Sequence, residues 1–258
     1  MRTNPDRRSF LKRATALVGT LALGGCDRLS EAPWFRQVLD SAESASLRAQ
    51  RVLLGSGPLA REYTEAELSP VFKANGSTSV DDFDYQTFAE KNFVDWRLQV
   101  DGLVERPQRL SLAELRAMPS RTQITRHDCV EGWSCIGKWT GVPLAHVLEQ
   151  AGVHPRARYV VFRCADTLES TLDSSGQYYE SIGFEDAYHP QTILAYGMND
   201  RPLPIPHGAP LRLRVERQLG YKMAKYIMRI ELVESFAGIS RGRGGFWEDR
   251  GYEWYAGI

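Results

Sequence analysis

Apolar residues first recur at helical spacing after residue 30, where Trp34, Val38, Ala42, Ala45, Ala49 and Val52 follow a 3.6-residue period. Gly55-Ser-Gly-Pro58 breaks the run, so residues 26–63 read as a surface helix and its linker. From Trp96 the period shortens to two. Trp96, Leu98 and Val100 alternate with polar residues, and Asp101-Gly102 predicts a turn. Ser111-Leu-Ala-Glu114 has the reciprocal spacing of a capping box, opening a short helix that ends before Pro119. Residues 122–129 read as extended and polar, and residues 143–151 as a helix with Gly152 as its C-cap. Residues 159–162, 211–215 and 226–233 add further strands. Strands and short helices mix without a regular βαβ rhythm, which predicts an α+β fold over a doubly wound sheet. No internal repeat or low-complexity tract interrupts residues 64–258, which read as one domain.

A different apolar run, residues 14–25, follows a basic cluster of Arg2, Arg7, Arg8, Lys12 and Arg13. It is too short to span a bilayer and fits the apolar region of an export signal. Arg7-Arg8-Ser9-Phe10-Leu11-Lys12 has the form of a twin-arginine signal, which serves proteins exported already folded. Leu23-Gly24-Gly25-Cys26 has the form of a lipoprotein cleavage box, and Asp27 that of an inner-membrane retention signal. The expectation is a periplasmic protein held at the inner membrane by a lipid on Cys26. This leader also changes the charge picture. The whole chain of 258 residues balances 32 Lys+Arg against 32 Asp+Glu. Without the leader's five basic residues and one acid, the remainder carries a net charge of about −4. Such a balance argues against a nucleic-acid partner, so Arg241-Gly-Arg-Gly-Gly245 reads as a loop and not as an RNA-binding tract. With 25% charged and 10% aromatic residues, the chain is neither disordered nor collagenous.

Four cysteines are too few to staple a chain of this length, which leaves cysteine chemistry open. The densest segment is Thr125-Arg-His-Asp-Cys-Val-Glu-Gly-Trp-Ser-Cys-Ile-Gly-Lys-Trp139. Cys129 ends an extended stretch beside Arg126 and His127, whose positive charge would favour the thiolate. No paired Cys or His spacing offers a zinc site, and no Cys-x-x-Cys-His offers a haem attachment. A single soft thiolate instead fits a metal whose other ligands come from a cofactor. The bland alternative is a Cys129–Cys135 disulfide in an oxidising compartment. His146 and His154 read as solvated residues and His189 as structural.

Arg126-His-Asp-Cys-Val-Glu-Gly-Trp-Ser134, followed by Trp139-Thr-Gly-Val-Pro-Leu144, resembles the molybdenum-cysteine segment of the sulfite oxidase superfamily. The resemblance is closest to the branch of the periplasmic methionine sulfoxide reductase catalytic subunit, and it covers residues 70–235. It implies a molybdopterin-binding domain with Cys129 as the protein ligand of molybdenum. The stretch from Leu194 to Leu213 resembles the family's pterin grip, which places His207 and Arg212 on the cofactor; taken alone, both could be turn residues. Gly220-Tyr-Lys-Met-Ala-Lys225 resembles the phosphate loop, so Met223, Ala224 and Lys225 are expected cofactor contacts, through backbone amides and the lysine charge. Asn75, in Phe72-Lys-Ala-Asn75, is expected to touch the pterin, and Cys164 lies where relatives place another contact. A buried small side chain is the simpler reading of Cys164. Tyr178 matches the tyrosine near molybdenum in sulfite oxidases, with Tyr179 as the competing assignment.

Two departures bear on direction. Ala74 stands where sulfite oxidases carry an arginine for their anionic substrate, and Val130-Glu-Gly-Trp-Ser134 replaces a cationic stretch. Without those cations, reduction of an S-oxide or related oxide is favoured over sulfite oxidation. The alternatives are a sulfite dehydrogenase and a lipoprotein that keeps the fold as a binding module. The resemblance further implies electrons from a haem-bearing membrane subunit. The tail after residue 245 is too short for the family's dimerisation domain, so a monomer is expected.

Overall fold

A computed structural model of the chain describes residues 32–54, 59–173 and 175–258. The twin-arginine stretch, the apolar run, Cys26 and the Gly55-Ser-Gly-Pro58 break lie outside the described residues. Two compact units divide between Gly55 and Ser56. The first contains one helix, α1 (Pro33–Leu54), on which Trp34, Val38 and Val52 are exposed. Among the described residues, no helix is long and apolar enough to cross a membrane.

The second unit is built on two sheets. One has the order β2 (Gln108–Ser111), β1 (Arg97–Gly102), β10 (Ile227–Val233), β5 (Tyr159–Thr167), β6 (Gln177–Gly183). Its pairs are antiparallel except β1 with β10, which run parallel and join the start of the domain to its far end. The other sheet has the order β3 (Arg121–Asp128), β4 (Ser134–Pro143), β7 (Ile193–Met198), β8 (Arg201–Pro202), and β9 (Arg212–Arg214) also pairs with β7. The short helices α2 (Phe83–Glu90), α3 (Leu112–Ala117), α4 (Leu144–Ala151) and α5 (Phe184–Ala187) connect the strands. Mixed sheets with short helices are the α+β architecture expected from the sequence.

Local rules explain much of this. On β1, Leu98 and Val100 are fully buried while Arg97 and Gln99 face solvent, and Trp96 just before the strand is buried too. Each such aliphatic side chain contributes roughly 1.5–3 kcal/mol on burial. The capping box forms as expected: the Glu114 amide donates to Ser111 Oγ at 3.1 Å, and the Ser111 amide donates to the Glu114 carboxylate at 2.7 Å. Gly152 ends α4 in the left-handed conformation. Asp101-Gly102 is not a turn. Gly102 is the last residue of β1 and pairs with Leu232, where a Cβ would lie 2.3 Å from the Leu232 carbonyl oxygen. The close parallel neighbour, not a reversal of the chain, accounts for the glycine.

Candidate active site

β3 ends at Asp128 and hands the chain to a hairpin loop, residues 129–133, before β4 returns from Ser134. The Cys129 amide donates to the Trp133 carbonyl at 2.9 Å, and the Gly132 amide to the Cys129 carbonyl at 2.9 Å. Cys129 is thereby fixed at the root of the loop, with its side chain buried. Strand alternation corrects the expected source of thiolate stabilisation. Arg126 points outward and pairs with Asp128 at 2.9 Å, whereas His127 points inward and is fully buried. Burial, then Arg214, holds His127 well below its usual range, so it is neutral. Burial raises the Cys129 thiol, and the Glu131 backbone amide offsets part of that rise. A bound metal cation would ionise a coordinating thiol there outright.

Cys129, Asn75 and Tyr178 line one cavity of ≈ 120 Å³, together with Met223 and Lys225. β6 settles the choice between neighbouring tyrosines. Tyr178 faces the cavity and its hydroxyl donates to the Tyr221 carbonyl, while Tyr179 donates to Asp249 at 2.7 Å and does not line the cavity. Burial, then Glu180, keeps the Tyr178 phenol well above its usual value, so it serves as a neutral donor.

Beside the cavity lies a slot of buried polar groups. His127 Nε2, Trp139 Nε1, His207 Nδ1 and Arg212 Nε and Nη2 are buried without a hydrogen-bond partner. Phe72 gathers three of these rings, with centroids at 5.8 Å from His127, 5.3 Å from Trp139 and 5.6 Å from His207. The Arg212 guanidinium lies 4.9 Å over Trp139, and His127 Nδ1 touches Met223 Sδ at 3.3 Å. Arg214 is neutralised by Glu216, but Arg212 contacts only the His207 carbonyl, at 3.0 Å. Lys225 is held by carbonyls of Asn75 (2.6 Å), Pro206 (3.1 Å) and Ser77. Burial, then Arg212, lowers Lys225 to about 7 and His207 to about 4. Desolvated cations that repel one another, beside donors without acceptors, are the electrostatic form of an anion site. A pterin with its phosphate, rich in acceptors and anionic, fits these residues.

Not every expected contact reaches the cavity. Cys164 is buried in the core, its thiol raised well above its usual value by burial, then Asp166; Asp166, two residues on, does line the cavity. Ala224 is fully buried, and the amides of Lys222, Met223 and Ala224 already donate to carbonyls of the same turn. Those three amides are engaged within the turn, and the Lys225 side chain supplies the loop's charge. Cys129 and Cys135 are both free thiols, and Cys135 Sγ lies 3.8 Å from the Val71 carbonyl, so the disulfide alternative fails.

Sequence reasoning missed the far wall. Tyr221, Trp247 and Tyr252 line the cavity, with Trp247 and Tyr252 stacked at 5.3 Å and Tyr221 edge-on to Tyr252 at 5.2 Å. The aromatic density of Phe246-Trp-Glu-Asp-Arg-Gly-Tyr-Glu-Trp254 was the available signal. His127, Trp139 and Asp166 were also missed as site residues, the first two despite lying within the recognised cysteine segment.

Residues 85–237 match the family model described as the oxidoreductase molybdopterin binding domain. The chain belongs to this molybdopterin-binding oxidoreductase family. A putative protein-methionine-sulfoxide reductase subunit, YedZ1, of Azospira oryzae is 37% identical over 260 residues, 98% of this chain and 88% of that protein. The protein-methionine-sulfoxide reductase catalytic subunit MsrP of Xanthomonas campestris pv. campestris is 34% identical, over 89% of this chain and 70% of that protein. The crystal structure of the sulfane dehydrogenase SoxCD from Paracoccus pantotrophus overlaps 55% of this chain and 39% of its own, at 25% identity and a TM-score of 0.49. This molybdopterin oxidoreductase is an enzyme that binds molybdenum through its pterin, and the orphaned donors of the slot agree with that chemistry.

Proposed function

We propose that this chain is the catalytic subunit of a reductase for S-oxides, with methionine sulfoxide, free or in protein, as its substrate class. The single observation that carries this reading is the charge of the cavity wall. Among the described residues lining it, Lys225 is the only cation and is engaged by three carbonyls, while Glu131 pairs with Lys73 at 3.5 Å and burial raises the Asp166 carboxyl. A wall whose cation is already engaged gives sulfite no charge-assisted contact and tolerates a neutral sulfoxide. Reduction consumes two electrons and two protons and releases a thioether and water.

When bound, the molybdenum cofactor supplies oxygen-atom transfer and the two-electron change. The residues of the chain hold and shape. Cys129 is the metal ligand, and Lys225, Arg212, His207, His127 and Trp139 face the pterin and its phosphate. Asn75 and Asp166 border the same space. Tyr178, a neutral phenol, donates a hydrogen bond that it can transfer from the Tyr221 carbonyl to the substrate oxygen. Trp247 and Tyr252 pack the methylthio end and exclude water. The proposed location is the periplasmic face of the inner membrane, with a lipid on Cys26 keeping the enzyme beside a haem-bearing membrane subunit that supplies electrons. The twin-arginine and lipobox patterns support that location, and the relatives named as subunits support a partner.

Viologen-coupled turnover of methionine sulfoxide, dimethyl sulfoxide and sulfite by protein matured through its export route tests the activity. S-oxide reduction without sulfite oxidation is the expected result; turnover of sulfite alone refutes the reading.

A further inference from the structure

Lys222 stands inside the phosphate-loop segment yet turns away from the cavity. Its ammonium lies between the carboxylates of Glu180 on β6 and Glu248 in the tail, and it sits 5.5 Å over the Trp254 ring. The three side chains are at most 1% exposed. Each carboxyl leaves its Oε2 atom without a partner, and two buried carboxylates oppose a single ammonium. Burial, then Glu248, holds the Glu180 carboxyl well above its usual range.

Each member comes from a different wall of the cavity. Glu180 follows Tyr178 by two residues, Lys222 follows Tyr221, and Glu248 follows Trp247. The Arg241-Gly-Arg-Gly-Gly245 tract makes the approach possible. A Cβ on Gly245 would lie 2.0 Å from Glu248 Oε2 and 2.8 Å from Glu180 Oε1, so only glycine lets the tail backbone lie on the acid pair.

We propose that Glu180, Lys222 and Glu248 are positioning residues that clamp Trp247 and Tyr252 onto the cavity and so set affinity for the substrate. The inference rests on the S-oxide reading for the identity of that substrate. The clamp touches neither Cys129 nor the unpartnered donors of the slot, so it acts on substrate affinity and leaves cofactor loading alone.

The test uses the cofactor-loaded enzyme. In Glu248→Ala, KM for methionine sulfoxide rises about tenfold while kcat and molybdenum content stay within about twofold, and Glu248→Gln restores KM. Hydrogen exchange speeds up across residues 246–254 in the alanine variant alone. An unchanged KM, or a fall in kcat in step with lost molybdenum, overturns the proposal. Should Glu248→Ala fail to fold, Trp247→Leu decides: the same KM rise supports the clamp's target, and an unchanged KM refutes it. Wild-type enzyme inert towards every S-oxide sinks the functional reading, and the exchange comparison then judges the clamp alone: unchanged exchange in Glu248→Ala refutes it, faster exchange supports it.

Discussion

The slot around Arg212 and the clamp around Lys222 both bury cations next to the same cavity, and they differ in what stands beside those cations. Lys222 has two carboxyls within the fold, so its charge is answered before any ligand arrives. Arg212 and Lys225 have carbonyls and each other, with donors left over. A buried charge that the fold satisfies is a structural tie. A buried charge left unsatisfied is stability held back for a ligand, because the missing interactions appear only on binding. Opposite charge supplied by the fold thus separates positioning groups from binding groups where burial and residue type do not: two carboxyls face Lys222, and neither ion pair nor carboxylate hydrogen bond is made by Arg212 or Lys225 among the described residues.

That contrast can be broken experimentally. Cys129→Ser should have the largest effect on function, reducing molybdenum content and turnover to background while the melting temperature of cofactor-free protein stays unchanged. Lys222→Met strands two buried carboxyls and should cost about 3–5 kcal/mol in urea unfolding, with or without cofactor. Arg212→Met should behave oppositely in the two forms. The cofactor-free protein loses a desolvated cation and is no less stable, while pterin retention falls by about 10–100-fold, measured by release in dilution. Equal losses in both forms for Arg212→Met would erase the distinction.

The two regions should also differ in the sign of their pH dependence. Glu180 keeps its proton in the fold where the unfolded chain has lost it, so its contribution falls as pH rises above the ordinary 4.5. Lys225 is deprotonated in the cofactor-free fold from about 7, whereas the unfolded chain holds the proton up to about 10.5, so its contribution rises with pH in that window. Unfolding curves of Glu180→Gln and Lys225→Met, taken between about pH 5 and pH 10, should deviate from wild type with opposite slopes. The smallest effect is expected from Ser111→Ala, far from either region, which removes the capping bond at a cost of about 1 kcal/mol without changing KM.

Local patterns carried the elements whose chemistry is local. The β1 alternation, the Ser111–Glu114 box and Gly152 could be read directly because each depends on residues a few positions apart. β4 was hidden by Gly137, Gly141 and Pro143, which dilute strand preference; Gly141 is there because a Cβ would lie 2.2 Å from the Leu194 carbonyl oxygen on β7. β6 is buried at every position after Gln177, so it has no alternation to find. In the site, Cys129 and the pterin-facing residues were legible because the family motif is contiguous. The clamp was not. Its members are separated by long stretches of chain, and charged residues default to the surface until a fold brings partners together. That neither Arg126 nor His127 supplies charge to Cys129 likewise depended on which face of β3 each takes.

Every residue of the pterin slot precedes residue 226, whereas the aromatic wall is made by Trp247 and Tyr252. During vectorial synthesis the slot residues therefore emerge before the aromatic wall of the neighbouring cavity. Loading becomes a question of timing. A cofactor seated before the tail docks would meet a substrate cavity still open, and the acid pair and lysine that later hold the tail never touch it. Such an order of assembly would place cofactor capture ahead of the closure of the substrate cavity.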